Sequence, residues 1–161
     1  MRFGTQLSAG GTILDVACGA GRHANWFAAR GHPVDAVDRA PPPALSPMVT
    51  YLQADIEANA WPYAGRQFAA VVVTNYLHRP LMKSLVNCVA PNGWLIYETF
   101  AAGNEAFGKP SRPDFLLQPG ELIESVQGCL HIVAFEDCFV ETPKPAMVQR
   151  IAARRTDTRA G

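Results

Sequence analysis

Residues 68–74 contain the continuous apolar run Ala69-Ala70-Val71-Val72-Val73, directly preceded by Phe68. An unbroken run of this kind fits a strand of a parallel sheet that is covered on both faces. Comparable β-type runs fall at residues 12–16, at 33–37 ending in Asp38, at 49–52 ending near Asp55, and at 94–100. Between the first two, residues 22–30 carry Ala24, Phe27 and Ala28 at helical spacing. Arg30, Gly31 and Pro33 then supply a helix stop. A second helix is predicted from Pro80, with Leu81, Leu85 and Cys88 or Val89 on one face, ended by Pro91-Asn92-Gly93. Residues 39–47 hold four prolines and are expected to be irregular. Residues 119–127 are a short helix closed by Gly128, and residues 130–140 and 146–154, joined by only five residues, should pair antiparallel. The expectation is a Rossmann-like α/β three-layer sandwich, with a mostly parallel sheet and an antiparallel C-terminal hairpin.

At 161 residues, 48% of them hydrophobic, the chain fits one domain spanning 1–161, with a frayed polar tail at 156–161. Fourteen basic residues balance fourteen acidic ones, which points away from nucleic acid and membrane surfaces and toward a small-molecule partner. The four cysteines show no CxxC pairing and follow no secretory leader, so a reducing compartment, the cytoplasm, is expected. No apolar run approaches the roughly 20 residues of a membrane span. His23, His32, His78 and His131 fall on separate elements, so no metal site is expected.

In open parallel sheets, ligands bind outside the carboxyl ends of the strands. There Gly19-Ala20-Gly21-Arg22-His23-Ala24 matches the G-x-G-x-x-G/A spacing, whose glycines let backbone approach a ligand. The same glycines also serve a plain tight turn. Asp38, about 20 residues on, is placed to accept both ribose hydroxyls. Asp15 precedes the glycines; it meets a cationic amino group there, or it forms the turn and faces the helix dipole. Cys18 is expected as a small filler of the turn rather than a nucleophile. Of Tyr97 and Glu98 at the end of the fifth strand, one is expected to face substrate and the other to pack.

With those residues in view, Ile13-Leu14-Asp15-Val16-Ala17-Cys18-Gly19-Ala20-Gly21-Arg22 resembles motif I of class I S-adenosylmethionine-dependent methyltransferases, and Val37-Asp38-Arg39 resembles their second acidic motif. The stretch from Tyr97 to Gly108, with Phe115-Leu116-Leu117-Gln118-Pro119-Gly120-Glu121-Leu122, is similar to the bacterial branch related to tellurite-resistance methyltransferases. The resemblance covers residues 12 to about 154. It implies the class I topology, S-adenosylmethionine as cofactor, and Asp15, Ala17, Gly19, Gly21, Asp38, Arg39, Asp55, Ile56 and Asn75 as cofactor-binding residues. Asp55 would face the adenine amino group. Asn75, Tyr76 and His78 would border the methyl, although a turn or capping role for His78 stands beside that one.

Two departures from the family bear on closure of the site. Only a short segment up to Gly11 precedes the first strand, and a proline run replaces the helix that usually follows the second. Incomplete closure makes a homodimer a candidate assembly. Residues 101–118, with two glycines and two prolines, are expected to form an acceptor-side lid carrying exposed Phe107 and Phe115. The acceptor is not legible. A nicotinamide-dependent oxidoreductase shares the glycines and Asp38, and a non-catalytic S-adenosylmethionine-binding domain is the third alternative.

Overall fold

A computed structural model describes residues 3–157. Seven strands, β1 (Ile13–Val16), β2 (Val34–Asp38), β3 (Val49–Gln53), β4 (Phe68–Thr74), β5 (Val89–Phe100), β6 (His131–Val140) and β7 (Ala146–Arg154), form one sheet in the order β3-β2-β1-β4-β5-β7-β6. The pairings among β1 to β5 are parallel, and β7 runs antiparallel between β5 and β6. The C-terminal hairpin is therefore present, with its second strand inserted into the sheet. Order reverses at β1, the position where such sheets open a crevice.

Helix α1 (Arg22–Ala28) buries Ala24, Phe27 and Ala28 on one face of the sheet. This i, i+3, i+4 stripe is flanked by the half-buried Trp26, and full burial of Phe27 contributes about 2–3 kcal/mol. The Gly31 amide, at φ 86°, closes the helix on the Ala28 carbonyl at 3.0 Å. On the other face, α2 (Met82–Asn87) and α3 (Glu121–Val126) cover Val71, Val73, Leu95, Tyr97 and Ile151.

Three details correct the expectations from sequence. The fifth strand begins at Val89 rather than Trp94: Val89 pairs with Phe68, and the Pro91-Asn92-Gly93 segment is a bulge inside the strand rather than a separator. A Cβ on Gly93 would stand within 3.0 Å of the Phe68 and Ala69 carbonyls, so the bulge can close on β4 only through glycine. The second helix starts with a 3-10 turn at Arg79–Leu81, and the third begins after Gly120 rather than at Pro119. Residues 101–118 contain 3-10 turns at Asn104–Ala106 and Pro113–Phe115, and Leu117 bridges to Ala101 at the end of β5. Most of the expected tail, residues 158–161, lies outside the described residues.

The two departures also have visible consequences. Phe3 stacks on Trp94 at 5.9 Å, and Gly4 packs against Trp26, so residues 3–8 cover sheet beside α1. The proline run stays irregular and lies along α1, where the Asn25 side chain bonds the Ala44 carbonyl at 3.0 Å and the Ser46 amide at 2.8 Å.

Candidate functional site

A cavity of about 480 Å³ opens at the carboxyl ends of all five parallel strands. Ala17 follows β1, Asp38 and Arg39 end β2, and Asp55, Ile56 and Glu57 follow β3. Asn75, Tyr76 and Leu77 follow β4, and Thr99 and Phe100 end β5. Pro110 and Phe115 complete the wall from the 101–118 segment.

The glycine turn is shaped by its own chemistry. Ala17, Gly19 and Gly21 have φ of 53°, 54° and 77°, and the Gly21 amide closes the turn on the Cys18 carbonyl at 2.9 Å. No atom lies within 4 Å of where a Cβ on Gly19 would stand, so the turn leaves open space for a ligand. Asp38 Oδ2 accepts the Gly19 amide at 2.9 Å and Oδ1 accepts the Ala40 amide at 3.0 Å. Asp38 thus fixes the turn while standing on the cavity wall. Asp55 Oδ1 accepts the amides of Glu57 and Ala58, both at 3.0 Å, which shapes the turn after β3.

Asn75 has φ 55°, and its amide donates to the Glu98 carbonyl at 2.9 Å. The buried Tyr97 hydroxyl donates to the Tyr76 carbonyl at 2.6 Å, so two bonds from β5 hold the loop after β4. The Tyr76 hydroxyl donates to Glu57 at 2.9 Å. Burial first, then that carboxylate, holds the Tyr76 hydroxyl well above its ordinary range, so it stays protonated.

Of the residues expected at the site, Ala17, Asp38, Arg39, Asp55, Ile56, Asn75 and Tyr76 meet in one cavity. Four others stand elsewhere. Gly19 and Gly21 form the turn beside it, and the Gly21 Cα faces Leu45. Asp15 is 2% exposed and sits behind the turn, where it accepts the Ala24 amide of α1. The turn-forming reading of Asp15 is the one this burial favours. Burial above all, with the like charge of Asp38, pushes its carboxyl up to about 7, and its Oδ2 has no hydrogen-bond partner. His78 lies outside the cavity lining, its Nδ1 3.8 Å from Glu57 Oε1.

Strand parity separates Tyr97 from Glu98. Tyr97 packs in the core, whereas Glu98 emerges on the opposite face beside Arg150, so neither carries the acceptor side of the main cavity. Burial pushes the Cys18 thiol up to about 12, which leaves it un-ionised at neutral pH, as a filler would be. Glu57 and Thr99 are cavity residues that sequence reasoning missed. The Asp-x-Glu spacing after β3 was the available clue to Glu57. Thr99 was hidden among the apolar residues of its strand. Among the described residues, no cluster of three or more His, Cys, Asp or Glu side chains is placed to hold a metal ion.

The open cradle at Gly19 and the strand-end carboxylates Asp38 and Asp55 on the cavity wall fit an adenosyl cofactor. Comparisons with known proteins agree. The structure superposes on TehB from Haemophilus influenzae with a TM-score of 0.73 at 15% identity, covering 91% of this chain and 58% of that one. It superposes on the N-methyltransferase NodS from Bradyrhizobium japonicum with a TM-score of 0.73 at 16% identity, covering 97% and 92% of the two chains. For 1,6-didemethyltoxoflavin-N1-methyltransferase from Burkholderia thailandensis, crystallised with S-adenosylhomocysteine, the values are 0.69, 18%, 97% and 76%. No curated protein matches the sequence. Residues 1–114 match the methyltransferase-domain family, and this decides against the nicotinamide alternative. The chain belongs to the methyltransferase-domain family and has the fold of its S-adenosylmethionine-dependent enzymes.

Proposed function

We propose that this chain methylates a small, largely apolar acceptor bound against Asn75, Tyr76, Thr99, Phe100, Pro110 and Phe115. The observation that carries this is the continuity of one cavity from Asp38 and Asp55 to Phe100 and Phe115, which gives donor and acceptor a shared space. When bound, S-adenosylmethionine supplies an electrophilic sulfonium methyl for in-line displacement.

The protein's part is mostly alignment. Asp38 offers a charged acceptor to the ribose hydroxyls, and Asp55 and Ile56 flank the position the adenine would take. Asn75 and Tyr76 border the methyl, held there by the Tyr97 hydroxyl and the Glu98 carbonyl. Holding two reactants in line supplies a large part of such a barrier without a dedicated base. The uncharged acceptor wall favours a small apolar molecule; the Burkholderia thailandensis neighbour was crystallised with bound 1,6-didemethyltoxoflavin.

The residues act as a single catalytic domain in this reading, in the cytoplasm of a bacterium. Four free cysteines fit a reducing compartment, and no helix among the described residues is long and apolar enough to cross a membrane. The flank of β3, with Met48 and Leu52 exposed, favours a homodimer. Release of S-adenosylhomocysteine from S-adenosylmethionine, followed by mass spectrometry over a library of small aromatic amines, phenols and thiols, tests the function. Acceptor-dependent release is expected, and tight S-adenosylmethionine binding with no turnover on any acceptor would favour a non-catalytic binding domain.

A further inference from the structure

The 101–118 segment carries Phe115 to the cavity, yet Phe115 itself is 47% exposed and lies in a single 3-10 turn. Its position is set from the backbone on either side. Arg79 Nη1 donates to the Asp114 carbonyl at 3.1 Å, and Nη2 donates to the Leu116 carbonyl at 2.9 Å. The same guanidinium pairs with Glu121 at both carboxylate oxygens, Nε to Oε1 at 2.6 Å and Nη2 to Oε2 at 3.1 Å. Glu121 in turn accepts the Gln118 amide at 2.7 Å, and the Gln118 carbonyl accepts from the fully buried Gln149 at 2.6 Å. One arginine therefore ties the turn after β4, where Tyr76 stands, to the chain on both sides of Phe115 and to the start of α3. Arg79 is not itself part of the cavity wall.

We infer that Arg79 is a positioning residue for the acceptor wall, fixing the Phe115 ring at the cavity by clasping the Asp114 and Leu116 carbonyls while Glu121 orients its guanidinium. The inference rests on the functional reading above only in naming that wall the acceptor side. Its physical content is that a planar fork with several donors in fixed geometry is required. An ammonium can pair with Glu121 but cannot present the same fork to Glu121 and to two carbonyls together.

The test uses the full-length protein labelled with 4-fluorophenylalanine, with the Phe115 fluorine resonance assigned by its loss in Phe115→Leu. In Arg79→Gln, that resonance should narrow and move toward the value of the free amino acid, while the other phenylalanine resonances stay in place. Arg79→Lys should fail to restore it. S-adenosylmethionine affinity, measured by titration calorimetry, should stay within about twofold of wild type, because Arg79 stands away from the cofactor end. An unmoved Phe115 resonance in Arg79→Gln overturns the inference, as does movement of all the resonances together, which marks a merely structural role. Restoration by lysine shows that charge suffices and overturns the clasp. A loss of cofactor affinity beyond about tenfold places Arg79 at the wrong half of the site and overturns it too. A wild-type protein that binds no S-adenosylmethionine sinks the functional reading, while the fluorine resonances still decide the role of Arg79.

Discussion

Asp38 and Gly19 are joined by a 2.9 Å bond from the glycine amide to the aspartate Oδ2, so the carboxylate at the end of β2 also braces the turn after β1. One residue serves both the shape of the cradle and the charge on its wall. Asp38→Ala should lose roughly 1.5–3 kcal/mol of S-adenosylmethionine binding, since a charged acceptor is removed. Asp38→Asn keeps one acceptor oxygen and should lose less. Titration calorimetry checks both, and NADH should give no binding heat to any of the three proteins.

Asp15 sets a pH dependence of stability whose sign follows from its burial. Its carboxyl is pushed up to about 7 in the fold, against about 3.9 in an unfolded chain. Between those values the native state holds a proton that the unfolded state has lost, so stability is greatest at the acid end and falls as pH rises toward 7. Asp15→Asn keeps an oxygen for the Ala24 amide and removes the buried charge. Relative to that variant, wild type should lose roughly 3 kcal/mol between pH 5 and pH 8. Denaturant unfolding of the two proteins across that range gives the difference directly, and parallel curves would show that Asp15 does not titrate as argued.

Gly21→Ala strains the cradle twice. Its φ of 77° disfavours any side chain, and the new Cβ would stand 2.4 Å from Leu45 Cδ2. A loss of roughly 1–3 kcal/mol of folding stability is expected. In Gly21→Ala with Leu45→Ala, the second change should cost less than Leu45→Ala does alone, because it relieves the clash. A double-mutant cycle on unfolding free energies measures that coupling, and strict additivity would mean the proline run does not press on the turn.

Self-association should go through the β3 flank. Leu52, on the edge strand, and Met48, in the turn just before it, are 37% and 40% exposed there. Sedimentation velocity should show a dimer whose fraction rises with protein concentration, and Met48→Lys with Leu52→Lys should leave a monomer. A wild-type monomer at every concentration would show that residues 3–8 and the proline run cover the molecule well enough alone.

Features that depend only on neighbouring residues were legible in the chain. Apolar runs and their periodicity set the strands and α1, because burial on one face or two leaves a mark at fixed spacing. The glycine turn and the acids Asp38 and Asp55 could be placed at strand ends for the same reason. What required contact between distant segments was settled only in three dimensions. The bulge at Gly93 closes on the carbonyls of β4, a close approach no spacing rule encodes. Asp15 proves buried behind the turn because α1 packs over it, and the Arg79 clasp joins residues up to 42 positions apart. A guanidinium fork finds such partners only once the chain has brought them within reach, so its role belongs to the tertiary structure.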